Sequence, residues 1–192
     1  MPATIHPLTP DRWTGLETLF GPRGAYSNCW CAFWRIRRAD FNRLSGAGRK
    51  AVLHEATFKG EAPGLLAYVG GQPVGWCSVG PREQFGALEN SRTLKRLDDQ
   101  PVWSIVCFFI AREHRRQGLM ADLLGGAVEY SRSRGARIVE GYPLDLDVPR
   151  LAGQGLHGCS GYMGIAAAYR KAGFVLAGRA SETQLIMRYS IH

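Results

Sequence analysis

The sequence predicts an α/β (α+β) fold, a central mixed sheet of about seven strands flanked by helices. Three observations carry this. Apolar runs of strand length recur along the chain, separated by helical periods or by turn residues. Leu65–Val69 and Pro73–Val79 are joined through Gly70-Gly71, the signature of a tight hairpin. Pro101–Ala111 is nearly apolar throughout, as a strand covered on both faces should be, and a basic turn and a helix follow it.

Taken in order, Ala3–Leu8 is the first strand candidate. Thr9 then caps a helix with Pro10 in its first turn, where Trp13, Leu16 and Phe20 fall on one face and Gly21-Pro22 ends it. Arg23 to Gly48 sets Tyr26, Trp30, Phe33, Trp34 and Phe41 among arginines without a strand period. A second helix is expected from Ala47 to Lys59, ending at Gly60, and after the hairpin Arg82 to Asp99 is polar and part helical. The helix after Gly118 turns Leu119, Leu123, Ala127 and Val128 inward and stops at Gly135. Arg137–Tyr142 is the next strand, followed by a loop to about Gly161 and a helix ending at Gly173. Phe174–Ala180 and Thr183–Ile191 are the last strands. With 192 residues and no repeat, linker or low-complexity tract, one domain over residues 1–192 is expected.

The net charge is +8, carried by arginine with lysine only at positions 50, 59, 95 and 171. Clusters at Arg35–Arg38 and Arg112–Arg116 do not form a long basic run, so nucleic acid is not the predicted partner. No stretch approaches the ~20 apolar residues of a spanning helix, so no membrane is predicted. The N-terminus, Met-Pro-Ala-Thr-Ile-His-Pro, lacks a basic region followed by an apolar run, and a cytoplasmic location is the expectation. Cys77 and Cys107 sit in apolar runs and read as small buried hydrophobes. Cys29-x-Cys31 with His157-x-Cys159 has the wrong spacing for zinc, and no metal is predicted. Gly153-Gln154-Gly155-Leu156-His157-Gly158 matches a dinucleotide fingerprint in letters only, because Asp147-Val148-Pro149 precedes it instead of a strand.

Val102–Leu124 carries the functional signal. An apolar strand runs into Arg115-Arg116-Gln117-Gly118 and then a helix. The helix N-terminus offers unpaired N–H groups and a partial positive charge, a glycine there lets a pyrophosphate approach without a Cβ clash, and Arg115 and Arg116 add charge-assisted donors.

Arg115-x-x-Gly118 between strand and helix resembles the acetyl-CoA motif of the GNAT N-acetyltransferases, Arg/Gln-x-x-Gly-x-Gly/Ala. Ala168-Tyr169-Arg170-Lys171-Ala172-Gly173-Phe174 resembles that family's helix–Gly-Phe–strand segment, and the two motifs together cover Val102 to Phe174. Met120 departs from the pattern, standing where the family has Gly or Ala. The resemblance implies a GNAT fold with acetyl-CoA as cosubstrate in the cleft between the fourth and fifth strands. It implies backbone contacts to the pantetheine arm from Phe108, Phe109 and Ile110, and pyrophosphate contacts from Arg115, Arg116, Gln117, Gly118, Leu119 and Met120. Residues 22–46 occupy the place of the acceptor-side lid, where Tyr26, Trp30 and Trp34 become acceptor contacts, although these rings could equally fill the core.

Acetyl transfer to an amine needs a neutral nucleophile and a proton for the departing thiolate. By the resemblance, Tyr169 aligns with the family's general acid, and Tyr162 competes for the role. Ser104 occupies the position of a glutamate base in some members; it cannot deprotonate an ammonium by itself and is placed on the acceptor side. Glu140, between Val139 and Gly141, is the remaining base candidate, with an acceptor-binding anion or a structural partner for arginine as equal readings. The function implied is direct transfer of an acetyl group to a small-molecule amine. A protein or peptide amine, and a silent CoA- or nucleic-acid-binding module, are the alternatives. Monomer and homodimer both stay open.

Overall fold

The computed structural model describes residues 3–151 and 161–192. The strands are β1 (Thr4–Pro7), β2 (Gly64–Val69), β3 (Gln72–Pro81), β4 (Trp103–Ile110), β5 (Ile138–Gly141), β6 (Val175–Arg179) and β7 (Leu185–Ser190). They form one sheet in the order β1-β2-β3-β4-β5-β7-β6. All pairs are antiparallel except β4–β5, so the sheet is mixed as expected. Gly70 and Gly71 turn the β2–β3 hairpin at φ +56° and +78°, values that a side chain would oppose.

Helices cover both faces. Alternation along β2 and β3 sends Leu65 and Cys77 to one side and Leu66 and Trp76 to the other. On the first side pack α5 (Leu119–Ser133), through Leu119, Leu123, Ala127 and Val128, and α6 (Ala166–Lys171). On the second pack Trp13, Leu16 and Phe20 of α1 (Trp13–Phe20) and Leu53 of α3 (Gly46–Phe58). A third cluster, around Phe85, Val106, Tyr142 and Ile186, includes Leu88 of the short α4 (Gly86–Glu89). No helix among the described residues is long and apolar enough to cross a membrane.

Three local expectations are corrected. Thr9 does not cap a helix; its Oγ1 accepts from Arg12 Nη1 at 2.7 Å, Pro10–Arg12 forms a 3-10 turn, and α1 begins at Trp13. The second helix starts one residue early, at Gly46, because Ser45 accepts from the Gly48 N–H and caps it. The aromatic–arginine segment contains a helix that no period announced, α2 (Arg38–Arg43).

Candidate active site

The site grows from a fork in the sheet. β4 and β5 pair in parallel only at Trp103–Val139, Ser104–Glu140 and Ile105–Gly141. Tyr169 of α6 is the wedge: its ring lies where a Cβ on Gly141 would stand, also abuts Gly164, and meets the Phe108 ring edge-on at 6.3 Å. Past the fork the Phe108 N–H is taken by the Tyr162 carbonyl at 2.6 Å. On the other edge of β4 the Ala111 N–H donates to the Val74 carbonyl at 2.9 Å. Alternation therefore turns the backbone of Phe109 toward β3, and only Phe108 and Ile110 present theirs to the fork. The expected trio of backbone contacts reduces to two. Ile110 has its carbonyl bonded by Arg115 Nε at 2.9 Å, which fixes the basic turn against the strand.

Gly118 caps α5 at φ +88°, and nothing lies within 4 Å of where its Cβ would be. In the first turn of α5 the Ala121 N–H donates to the Gly118 carbonyl at 2.8 Å, while the amides of Leu119 and Met120 precede the first intrahelical acceptor. Bare amides, an absent Cβ and the guanidinium groups of Arg115 and Arg116 make a donor set that fits a pyrophosphate. Met120 stays compatible with it, because its Sδ packs 3.5 Å from the Cβ position of Gly164.

One cavity of about 1110 Å³ joins this turn to the aromatic segment. Its wall includes Arg115, Arg116, Gly118, Leu119 and Met120 of the basic turn and α5, Phe108, Phe109 and Ile110 of β4, and Tyr26, Phe33, Trp34, Phe41 and Arg49 of the aromatic segment. The indole Nε1 of Trp34 is buried with no acceptor among the described residues. His114 is half-buried and lines the cavity. Gln117 is not in the wall; its side chain donates to the Glu113 carbonyl at 2.8 Å and braces the turn.

Four predicted catalytic or acceptor residues lie elsewhere. Trp30, at φ +48°, turns inward and packs against Trp13 and Phe20, so it belongs to the core. Tyr169 is fully buried, its hydroxyl donates to the Met163 carbonyl at 3.1 Å, and burial holds its phenol well above the ordinary pKa. Tyr162, its competitor, is in the cavity wall. Ser104 is buried, with Oγ 2.8 Å from the Tyr142 hydroxyl. Glu140 is buried with both oxygens engaged: Oε1 accepts from Arg82 at 3.2 Å and Tyr142 at 2.8 Å, and Oε2 accepts from Arg188 at 2.7 Å. Neither oxygen is left to take a proton from an amine, and the geometry matches the structural reading of this residue.

A profile of the Acetyltransferase (GNAT) family matches residues 30–148. The chain belongs to that family.

The family is one of acyltransferases that draw on acetyl-CoA, and the forked sheet is its fold. Among solved structures, a GNAT acetyltransferase from Streptococcus pneumoniae superposes with TM-score 0.54 at 16% identity over 100% of both chains. Ribosomal-protein-alanine N-acetyltransferase from Brucella melitensis gives 0.54 at 19% over 98% of this chain and 99% of that one. The GNAT domain of PAT from S. lividans gives 0.55 at 16% over 98% and 90%. At these identities the likeness is one of fold. No curated protein matches the sequence.

Several features of this GNAT protein escaped sequence reasoning. Arg82, in a stretch read only as polar, is fully buried and donates to Glu89, Glu140, Tyr142 and the Leu94 carbonyl. Cys31 and Cys107 bring their sulfurs to 3.4 Å where the aromatic segment meets β4, and Cys31 Sγ accepts from Trp76 Nε1 at 3.1 Å. Cys29, Cys31 and Cys107 all line the cavity. No group of His, Cys, Asp and Glu suited to a metal occurs among the described residues. His157, Cys159 and the fingerprint-like Gly153–Gly158 run lie outside them.

Proposed function

We propose that the protein is an acetyl-CoA-dependent N-acetyltransferase that transfers the acetyl group directly to the primary amine of a small molecule. The observation that carries the reading is one continuous cavity whose wall includes both the N-terminus of α5 with its basic turn and the rings of the aromatic segment. An acceptor and acetyl-CoA can share that space, so no covalent enzyme intermediate is required. Walls of Tyr26, Phe33, Trp34 and Phe41 suit a compact acceptor better than an extended peptide, which would need an open groove.

Bound acetyl-CoA would supply the activated thioester. The amides of Leu119 and Met120, with Arg115 and Arg116, hold its pyrophosphate, and the fork edge of Phe108 and Ile110 faces the pantetheine arm. Tyr162, the tyrosine in the cavity wall, gives a proton to the departing sulfur. Tyr169 acts by holding the fork open and fixing the Met163 carbonyl. A protein amine and a silent CoA-binding module are the competing readings.

Calorimetric titration with acetyl-CoA, followed by a thiol-release assay over small amines, amino acids and a peptide amine, tests this. Binding together with release by a small amine is expected. Binding without release by any acceptor would favour the silent module, and release by the peptide alone would move the substrate class.

A further inference from the structure

The aromatic part of the cavity wall has a one-sided charge. Among the described residues it contains no aspartate or glutamate, whereas Arg49 stands there with its guanidinium 3.9 Å from the centre of the Phe41 ring. Nε and Nη2 of Arg49 donate to the Phe41 carbonyl at 3.1 and 2.9 Å, which locks the group in place. No described carboxylate pairs with it. Glu140, the acid beside the fork, is consumed by Arg82, Tyr142 and Arg188.

An aliphatic amine meets this wall badly. With a pKa near that of lysine, only about one molecule in 2,500 is neutral at neutral pH, and the ammonium would be stripped of water beside a guanidinium with no carboxylate to offset the charge. An aromatic amine, its lone pair shared with the ring, is already neutral and flat enough for stacking walls. A carboxylate on that ring would complete the unpaired arginine.

We propose that the acceptor is a weakly basic aromatic amine bearing a carboxylate, held by Arg49 among the rings of the lid. The proposal rests on the N-acetyltransferase reading above. In the reaction the amine nitrogen forms a bond to the acetyl carbonyl carbon and the carbon–sulfur bond breaks. The nitrogen loses one proton to water, and the sulfur gains one from Tyr162. No basic side chain is needed before attack.

Three matched compounds test it: para-aminobenzoate, para-(aminomethyl)benzoate, which turns the same shape into a strong base, and para-aminobenzamide, which removes the charge. At neutral pH, kcat/KM for para-aminobenzoate should exceed that for para-(aminomethyl)benzoate by about a hundredfold or more, the neutral-amine fraction being the dominant difference. Arg49→Met should raise KM for para-aminobenzoate roughly 10- to 100-fold while leaving para-aminobenzamide nearly unchanged, which also shows that the variant is folded. Equal or better turnover of the aminomethyl compound, of phenylalanine or of an aliphatic polyamine overturns the acceptor class and leaves the acetyltransferase standing. So does an Arg49→Met effect that is the same for both anilines. Absence of acetyl-CoA binding, with no thiol release by any amine, overturns both readings.

Discussion

Arg188 faces Glu140 directly across the β5–β7 ladder and donates Nε to its Oε2 at 2.7 Å. The same guanidinium reaches Asp98 through Nη1 and Nη2, while Arg82 holds the other oxygen of Glu140 from the opposite side. A strand carboxylate that could have served as a base is thus the centre of a buried charge network tying β5 to β7 and to the segment after β3.

Removing the centre takes from Arg82 and Arg188 the buried carboxylate they share and leaves them only the more exposed Glu89 and Asp98. Glu140→Ala should destabilise the fold by about 3–5 kcal/mol, and Glu140→Gln by less, because an amide still accepts a hydrogen bond. Thermal melts of both variants beside acetyl-CoA titrations check this. Undisturbed melting with a collapsed kcat would return Glu140 to the chemistry.

Asp98 makes the network sensitive to acid. Its hydrogen bonds with Arg188 hold its folded pKa below the ordinary aspartate value. A carboxylate depressed in this way stabilises the fold above its unfolded pKa of about 3.9, and the contribution disappears as pH falls through the lower folded value. Melting temperature measured down the acid limb should therefore fall less steeply in Asp98→Asn than in the parent protein, and added salt should shrink the difference.

The two tyrosines should separate cleanly in kinetics. Tyr162→Phe is expected to lower kcat about 10- to 1000-fold with acetyl-CoA affinity little changed. Tyr169→Phe removes the bond to the buried Met163 carbonyl, so it should cost about 1–2 kcal/mol of stability and leave kcat within a few-fold. Steady-state kinetics with melting curves decide, and the reversed pattern would restore the role that Tyr169 has in the family motif.

Gly141 gives way to the Tyr169 ring, and an added methyl would run into it. Gly141→Ala should therefore destabilise by roughly 1–3 kcal/mol. Combining it with Tyr169→Leu should recover part of the loss, since the two residues share one space. Additive losses in denaturant unfolding would show that the fork is not set by this contact.

Cys29 lies in the cavity wall, and burial, with Cys31 beside it, pushes its pKa up to about 11. Alkylation by iodoacetamide should be slow at neutral pH and accelerate about tenfold per pH unit until that value, because the thiolate is the reactive form. Mass spectrometry of labelled Cys29 reads the rate, which saturating acetyl-CoA should lower. Fast labelling at neutral pH would mean that the thiol is more open than its surroundings indicate.

Much of this protein was determined locally, within runs of a dozen residues. The apolar strands Leu65–Val69 and Pro73–Val79, the Gly70-Gly71 turn between them and the inward stripe of α5 are read directly from hydrophobic patterning and glycine placement. The phosphate turn is local too, since Gly118 and the amides of Leu119 and Met120 follow one another in the chain. What tertiary structure decided is which side chains reach the cavity. Arg82 and Glu140 are 58 residues apart, and Glu140 and Arg188 are 48 apart. No period in the chain announces that these partners neutralise one another, nor that Trp30 turns inward while Trp34 lines the site. A single strand sequence specifies that a carboxylate is buried. Whether it meets solvent, substrate or two arginines depends on elements distant in the chain, because electrostatic pairing acts through space and hydrophobic patterning acts along the backbone.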